Sequence, residues 1–195
     1  MQYLILCLGW LFFYASHTFL ASLNIKRKVK AWMGNSYKWY RLSYSLVASF
    51  IFLAIFLFAG SIDPIWLFER SNGTTYLGFM LATFGTIIAA KSMKQVELSR
   101  FLGLKPHDDL RETEPLIKTG WYQYMRHPLY AGLILIFAGY LFYVPNMASL
   151  IHLLALLSYL PFGIYYEEKK LREQYGEKYV RYQNKVPPLI PRLKK

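Results

Sequence analysis

The residues best suited to chemistry in this sequence are an arginine and a histidine placed directly before a helix. Arg126 and His127 precede Pro128, and a long apolar run follows. Proline favours the first position of a helix, because its missing N–H would have no partner there. The first backbone N–H groups of that helix are unpaired and lie at the positive end of its dipole. Together with the charge of Arg126, these N–H groups favour an anion. The sequence therefore predicts a helix end that can bind a carboxylate or a phosphate.

Two glutamates later in the chain form the second unusual feature. Glu167 and Glu168 directly follow the apolar run 147–166, so we predict that they lie near the C-terminal end of a helix. Negative charge is unfavourable at that end of the helix dipole unless a cation faces it. Arg126 is the obvious cation.

A short connection brings the two features together. Only Val144-Pro145-Asn146 separates the apolar run 128–144 from the run 147–166, so the two helices must form an antiparallel hairpin. The basic pair and the two glutamates then lie at the same membrane face, within ion-pairing distance. From residue types alone, this arrangement is equally a binding site for a ligand and an ion pair that only fastens the ends of the hairpin.

The composition is that of a membrane protein. Of 195 residues, 55% are hydrophobic and 18% are aromatic, yet the formal net charge is +12. These values do not fit a soluble globular domain. A helix needs roughly 20 apolar residues to cross a bilayer. The sequence therefore predicts an all-α polytopic membrane protein with about five transmembrane helices, at residues 2–22, 43–61, 73–90, 128–144 and 147–166.

Lysine and arginine are distributed unequally between the connections. Six follow the first run, seven lie between residues 91 and 126, and nine follow residue 166, whereas the connection 62–72 holds only Arg70. By the positive-inside rule, the N-terminus is outside and the C-terminus is cytoplasmic, and we expect a bacterial inner membrane protein. This topology explains the basic excess better than nucleic acid does, because no nucleic-acid-binding motif accompanies it. Cys7 is the only cysteine, so a thiolate metal cluster is excluded, and we expect no metal.

We predict one membrane domain over residues 1–195. It comprises a three-span part, residues 1–90, and a part 91–195 with the hairpin 128–166 and an amphipathic interfacial helix 167–184. The apolar side of that helix carries Leu171, Tyr175, Tyr179 and Tyr182. The prolines at 187, 188 and 191 then predict an extended strap over residues 186–191, because proline disfavours helix in the residue before it.

The third apolar run carries small residues at steps of three or four. They are Gly78, Ala82, Gly85 and Ala89. Such a stripe allows another helix backbone to approach closely. It predicts tight helix packing and indicates no chemistry.

A cationic helix end, a facing pair of carboxylates and several tyrosines suit a zwitterionic ligand with an aromatic group. S-adenosylmethionine has these parts: a carboxylate for the helix end, an ammonium for a glutamate, and an adenine for apolar or aromatic side chains. Methyl transfer requires mainly that the acceptor approach in line in a dry site, so positioning carries most of the effect. An apolar acceptor could enter from the lipid.

Two motifs resemble the C-terminal signature of the integral membrane methyltransferases, which include isoprenylcysteine carboxyl methyltransferases and phospholipid methyltransferases. The first is Gly120-x-Tyr122-x-x-x-Arg126-His127-Pro128-x-Tyr130-x-Gly132, and the second is Glu167-Glu168-x-x-Leu171-x-x-x-x-Gly176-x-x-Tyr179-x-x-Tyr182-x-x-x-Val186-Pro187. The resemblance covers about residues 114–191. In the N-terminal half, residues 17–22, 40–42 and 97–104 are similar to the NnrU-type branch, which includes methanethiol S-methyltransferases.

The resemblance implies roles for particular residues. The residues expected to bind S-adenosylmethionine are Leu116, Ile117, Tyr122, His127, Tyr130 and Glu167. Arg126 and Glu168 are the candidate catalytic residues, and whether Arg126 contacts the acceptor or the cofactor stays open.

One position departs from the isoprenylcysteine enzymes. They are expected to carry a substrate-binding arginine four residues before the first glutamate, where this chain has Gly163. We therefore expect a small thiol or a lipid-soluble acceptor. The alternatives are an isoprenylcysteine carboxyl methyltransferase proper, an NADPH-dependent membrane reductase that uses Arg126, Arg172 and Arg181 for the cofactor's phosphates, and a membrane regulator without turnover.

Overall fold

The computed structural model describes residues 1–95, 103–106, 108 and 115–191. Within these ranges the chain is helical and contains no β-strand, only an isolated bridge between Trp66 and Asn146. Its α-helices are α1 Gln2–Ala21, α2 Leu23–Met33, α3 Tyr40–Gly60, α4 Asn72–Gln95, α5 Pro128–Tyr143, α6 Met147–Tyr175 and α7 Glu177–Lys185. Two 3-10 turns cover Gly34–Trp39 and Gly120–Gln123. The described residues thus confirm the predicted all-α fold.

The helices belong to two compact units. The first holds residues 1–63 with 103–106 and 108, and the second holds residues 64–95 and 115–191. Residues 97–102, which carry part of the N-terminal resemblance, lie outside the described residues. The single domain over residues 1–195 stays a prediction.

Four helical stretches are long and apolar enough to cross a membrane. They are Gln2–Ala21, Leu23–Gly60, Asn72–Gln95 and Met147–Tyr175, and the shorter apolar helix Pro128–Tyr143 adds a fifth candidate. Along α3 the exposed side chains Leu46, Phe50, Leu53 and Leu57 recur at steps of three or four. A continuous exposed apolar stripe of this kind is suited to lipid. The chain is a polytopic membrane protein, as the sequence predicts.

Aromatic packing organises the first unit. Trp10 on α1 is 2% exposed, and its ring meets those of Phe52 and Phe56 on α3 nearly edge-on, at centroid distances of 5.8 and 6.2 Å. Edge-to-face contacts of this kind are favourable because the positive ring edge meets the negative face. They hold α1 against α3.

In the second unit, α4 and α5 cross with their backbones in close contact. A Cβ atom added to Gly85 would lie 2.5 Å from the carbonyl oxygen of Gly132, and one added to Gly78 would lie 2.8 Å from that of Gly139. The higher residue of α4 faces the lower residue of α5, so the two helices are antiparallel. The small-residue stripe therefore packs as predicted, because only hydrogen at these positions lets the backbones meet.

The short connection between α5 and α6 forms the predicted hairpin. The side chain of Asn146 accepts a hydrogen bond from the Ser149 N–H at 2.9 Å and thereby caps α6. The segment before α4 also supports the connection, because the Leu67 N–H donates to the carbonyl of Pro145 and the Met147 N–H donates to that of Ile65, both at 2.9 Å.

The end of the last long helix differs from the prediction. We predicted that it ends at residue 166 and that a separate helix covers 167–184, but α6 continues without interruption to Tyr175. Its extension is rich in glutamate, lysine and arginine, which are good helix formers. Gly176, with φ of 54°, then ends α6 before α7 begins. Glu167 and Glu168 therefore lie within a helix and not at its end.

We expect that substituting Gly85 by alanine destabilises the protein, because the new methyl group would force the α4 and α5 backbones apart. Overpacking of this kind costs about 1–3 kcal/mol. Gly60→Ala is the matched control, because a Cβ atom there meets nothing within 4 Å. Thermal unfolding in detergent should show a clear loss of melting temperature for Gly85→Ala alone. Equal melting temperatures for the two variants would contradict the packing described above.

Candidate functional site

A buried ion pair joins the start of α5 to α6. The guanidinium of Arg126 contacts the Oε1 oxygen of Glu168 through Nε at 2.7 Å and through Nη2 at 2.6 Å. Each side chain is 9% exposed. Charge-assisted hydrogen bonds are the strong ones in proteins, and removal of one partner leaves a buried charge uncompensated. The predicted pairing between the basic residues and the glutamates is confirmed.

The same arginine also holds the last turn of α7 and the chain that follows it. Its Nη1 donates to the carbonyl oxygen of Gln183 at 2.9 Å and to that of Val186. Two backbone hydrogen bonds run in parallel, from the Arg126 N–H to Pro187 O and from the His127 N–H to Pro188 O, both at 2.9 Å. The predicted strap is therefore fixed against the residues before α5, because proline carbonyls supply the acceptors these N–H groups need.

His127 lies between the two glutamates and is 4% exposed. Its Nε2 is 3.1 Å from Glu168 Oε1 and its Nδ1 is 3.4 Å from Glu167 Oε2. Burial by itself lowers the pKa of His127, but the hydrogen bonds and negative charges of Glu167 and Glu168 outweigh burial, so the pKa lies above its ordinary value. The imidazolium form can donate to both carboxylates at once. We call Arg126, His127, Glu167 and Glu168 the ionic cluster.

The two glutamates differ in exposure although they are adjacent in sequence. The Glu168 side chain is 9% exposed and the Glu167 side chain is 45% exposed. The second oxygen of Glu168, Oε2, accepts a hydrogen bond from the Gln183 side chain at 2.5 Å. Glu168 is thus held by three side chains, whereas Glu167 presents its carboxylate outward. The sequence prediction did not include Gln183, because helical spacing gives its position but not its partner.

Tyrosines surround the ionic cluster. The ring of Tyr130 stacks on that of His127 at a centroid distance of 5.5 Å, and the hydroxyl of Tyr182 donates to the Tyr122 carbonyl at 2.5 Å. Burial, with the charge of Glu167, raises the pKa of Tyr122 to about 12. The predicted residues Tyr122, His127, Tyr130 and Glu167 therefore lie in one region.

Tyr179 was not among the predicted site residues. It is 1% exposed, and its hydroxyl has no hydrogen-bond partner among the residues that the structure describes. Burial, with the charges of Glu168 and Glu167, raises the pKa of this hydroxyl. It thus keeps its proton at neutral pH. A buried hydroxyl without a partner costs free energy, so its presence beside the ionic cluster indicates a place for a polar ligand.

Leu116 and Ile117 lie in an irregular segment before the turn Gly120–Gln123, and both are partly buried. That turn separates the apolar pair from Arg126 along the chain.

Among the described residues, no group of histidine, cysteine, aspartate and glutamate side chains has the arrangement of a metal site.

Comparison with known proteins identifies the family. Residues 74–178, more than half of the chain, match the model of the phospholipid methyltransferase family. The chain belongs to this family. It is therefore a membrane methyltransferase, and the matched range contains the whole ionic cluster with Tyr122 and Tyr130.

Several curated proteins are similar to this family member along most of its length. A methanethiol S-methyltransferase of Crocosphaera subtropica is 30% identical over 184 residues, which are 87% of this chain and 69% of the relative. A methanethiol S-methyltransferase of a Pseudomonas species is 30% identical over 192 residues, 92% of this chain and 70% of the relative. No solved structure matches the chain.

The raised pKa of His127 predicts a pH dependence of stability. Because the pKa is higher in the folded state, protonation of His127 stabilises the fold fully below its unfolded value of 6.5, and this contribution is lost as the pH rises through the folded pKa. Melting temperature measured against pH should fall across that interval for the wild type. It should fall less for His127→Gln, which cannot titrate. Parallel curves for the two proteins would show that His127 gains no proton affinity on folding.

Proposed function

We propose that this membrane methyltransferase uses S-adenosylmethionine as the methyl donor and a small thiol as the acceptor. Family membership supports methyl transfer, and the relatives named methanethiol S-methyltransferase support a thiol. The observation that carries the proposal is the ionic cluster, in which one carboxylate is fixed inside the protein and the next is turned outward. The proposed orientation has this cluster at the cytoplasmic face, where the basic connections also lie.

The residues present fit such a donor. Its amino acid part is a zwitterion, and the ionic cluster offers an outward carboxylate at Glu167 beside a histidine whose pKa is raised. The partnerless hydroxyl of Tyr179 is a further hydrogen-bond donor in the same region. When bound, S-adenosylmethionine supplies a methyl group on a positively charged sulfur, which a nucleophile can take without acid catalysis.

Each predicted residue then has a definite task. Glu167 binds the ammonium group, and Nδ1 of His127 binds the carboxylate in exchange for its contact with Glu167, which at 3.4 Å is the longer of the two contacts of that ring. Opposite charges pair most strongly where water is scarce. Tyr122 and Tyr130 orient these groups through their packing, and Leu116 and Ile117 cover the adenine. These tasks are binding and orientation, which is what methyl transfer in line requires.

Arg126 and Glu168, the candidate catalytic residues, serve as positioning residues in this proposal. Arg126 already makes four contacts within the protein, two of them to Glu168. Glu168 is held in addition by His127 and Gln183. Groups so fully engaged are suited to fixing the geometry of their neighbours and not to moving with a reacting substrate.

The structure around Gly163 supports a small acceptor over a prenylcysteine. This glycine is buried, and a Cβ atom added to it would lie 2.9 Å from the ring of Tyr159. A side chain at this position, such as a substrate-binding arginine, would have to displace the ring of Tyr159. In the proposed reaction a small thiol would release its proton to water, and its sulfur would take the methyl group from the sulfonium, which would leave S-adenosylhomocysteine.

The reductase alternative requires cations for the phosphates of NADPH. Arg172 and Arg181 are exposed, but Arg126 is bound to Glu168. The third cation that NADPH would need is therefore already engaged.

A thermal shift measurement separates these alternatives. S-adenosylhomocysteine should raise the melting temperature of the protein, and NADPH should not. A non-catalytic regulator would bind S-adenosylhomocysteine without methylating any acceptor.

The acceptor is tested by incubating the purified protein with methyl-labelled S-adenosylmethionine and, separately, a short-chain thiol, a prenylcysteine and a phospholipid amine. We expect label in the thioether formed from the short-chain thiol. Label in the prenylcysteine ester alone would overturn the proposed acceptor, and no label in any product would favour the regulator.

Donor binding should depend on the outward glutamate. Glu167→Gln removes the charge that pairs with the ammonium group, and a hydrogen bond to a charged group contributes about 1.5–3 kcal/mol. Affinity for S-adenosylhomocysteine, measured by calorimetry, should therefore fall about tenfold or more. Glu173→Gln is the matched control, since Glu173 is exposed on the same helix. Unchanged affinity in Glu167→Gln, or an equal loss in both variants, would contradict this assignment.

A further inference from the structure

A cavity lies at the end of α4, and no residue of the ionic cluster lines it. Its volume is about 570 Å³, and it opens between the last turn of α4 and the turn Gly120–Gln123. The residues that line it are Lys91, Lys94, Gln95, Gly120, Trp121, Gln123 and Tyr124. None of them has a role in the proposed methyl transfer.

Two lysines give the cavity a positive charge. Lys91 and Lys94 are three residues apart on α4 and so lie on one side of that helix. Within the part of the chain that the structure describes, neither forms an ion pair with a carboxylate. The C-terminal end of a helix carries about −0.5 charge, which two ammonium groups exceed. The net field therefore favours an anion.

Gln95 adds a hydrogen-bond acceptor of fixed position. Its side chain packs directly on Gly120, which has φ of 60° and no Cβ atom that would displace the amide. Its Oε1 atom is buried and has no hydrogen-bond partner among the described residues. Buried amide oxygens without a partner are rare in proteins. The lysines thus prefer an anionic group, and the glutamine oxygen requires a neighbouring N–H or O–H donor.

The position of the cavity indicates a lipid. α4 is one of the membrane-spanning candidates, and both lysines lie in its last turns. Lysine at the end of a spanning helix, with tryptophan and tyrosine beside it, marks the depth of the phospholipid headgroups. Trp121 and Tyr124 supply these rings, with their centroids 6.5 Å apart. A lipid phosphate is anchored at this depth, whereas a free phosphate is not.

We propose that this cavity binds an anionic phospholipid whose headgroup carries a hydroxyl, with Lys91 and Lys94 on the phosphate and Gln95 Oε1 accepting from the hydroxyl. The turn Gly120–Gln123, which lines the cavity, also carries Tyr122. The carbonyl of Tyr122 accepts a hydrogen bond from the hydroxyl of Tyr182. The lipid therefore contacts the same turn that Tyr182 holds. Binding itself does not depend on the proposed methyl donor or acceptor.

The test is a binding titration of the full chain in detergent, without a methyl donor, read by native mass spectrometry. The probes are phosphatidylglycerol, phosphatidylcholine and free glycerol 3-phosphate. Phosphatidylglycerol should bind about tenfold more tightly than phosphatidylcholine, because each lysine near an anionic lipid contributes several-fold to affinity. The double variant Lys91→Gln/Lys94→Gln should lose this preference. Lys28→Gln/Lys178→Gln removes two exposed charges elsewhere and should keep it.

Three results would overturn the proposal. Equal binding of the two lipids would show that the cavity does not select for charge. An equal loss in the control variant would show a general attraction between the basic protein and anionic lipid. Binding of glycerol 3-phosphate as tight as that of phosphatidylglycerol would assign the cavity to a soluble anion.

A second variant tests the glutamine. Gln95→Leu removes the acceptor but keeps the lysines and a side chain of similar size. Affinity for phosphatidylglycerol should fall several-fold, while affinity for phosphatidic acid, which lacks the glycerol hydroxyls, should stay as in the wild type. Unchanged affinity for both lipids would show that the headgroup hydroxyl is not recognised and would contradict the proposed ligand.

Discussion

The ion pair between Arg126 and Glu168 is the interaction on which the rest of the second unit depends. Through Arg126 it joins three parts of the chain that are distant in sequence: the residues before α5, the charged last third of α6, and the end of α7 with the strap after it. Both charges are largely removed from water, so each needs the other to offset its lost hydration. Arg126 thereby fastens the strap to the open end of the hairpin, because it donates to acceptors on both.

This constraint separates the two adjacent glutamates. Successive residues on a helix point about 100° apart, so when Glu168 faces the arginine, Glu167 must point elsewhere. His127 contacts both and thereby links the buried pair to the outward carboxylate. In the proposed function the protein thus has a fixed charge and an accessible charge side by side, which is what a site needs to hold a zwitterion in one orientation.

Several of these features could be predicted from sequence because they follow from local rules. Pro128 indicates a helix start, a three-residue connection requires a hairpin, and a hairpin places Arg126 near Glu168. The small residues of α4 meet those of α5 for a similar reason, since close backbone contact requires glycine. The family resemblance, based on the same residues, is confirmed by the matched range 74–178.

Other features depend on partners that no local pattern specifies. The continuation of α6 to Tyr175 was missed because a change from apolar to charged residues was taken as the end of a helix, whereas it marks only the end of the apolar stretch. Three further groups were missed because their roles arise from contacts between residues that are distant in sequence. They are the side chain of Gln183, the partnerless hydroxyl of Tyr179 and the carbonyls of the strap. Periodicity gives the side of a helix on which a residue lies, but it does not identify what the residue touches.

The central claim, that the buried ion pair holds this unit together, is tested most directly by a double-mutant cycle. The free energy of unfolding is measured in detergent for the wild type, Arg126→Met, Glu168→Met and the double variant. Removing one partner of a buried pair costs about 3–5 kcal/mol, and an apolar replacement of both is often nearly neutral. The account therefore predicts that the double variant is more stable than either single variant. Single effects that simply add would contradict it.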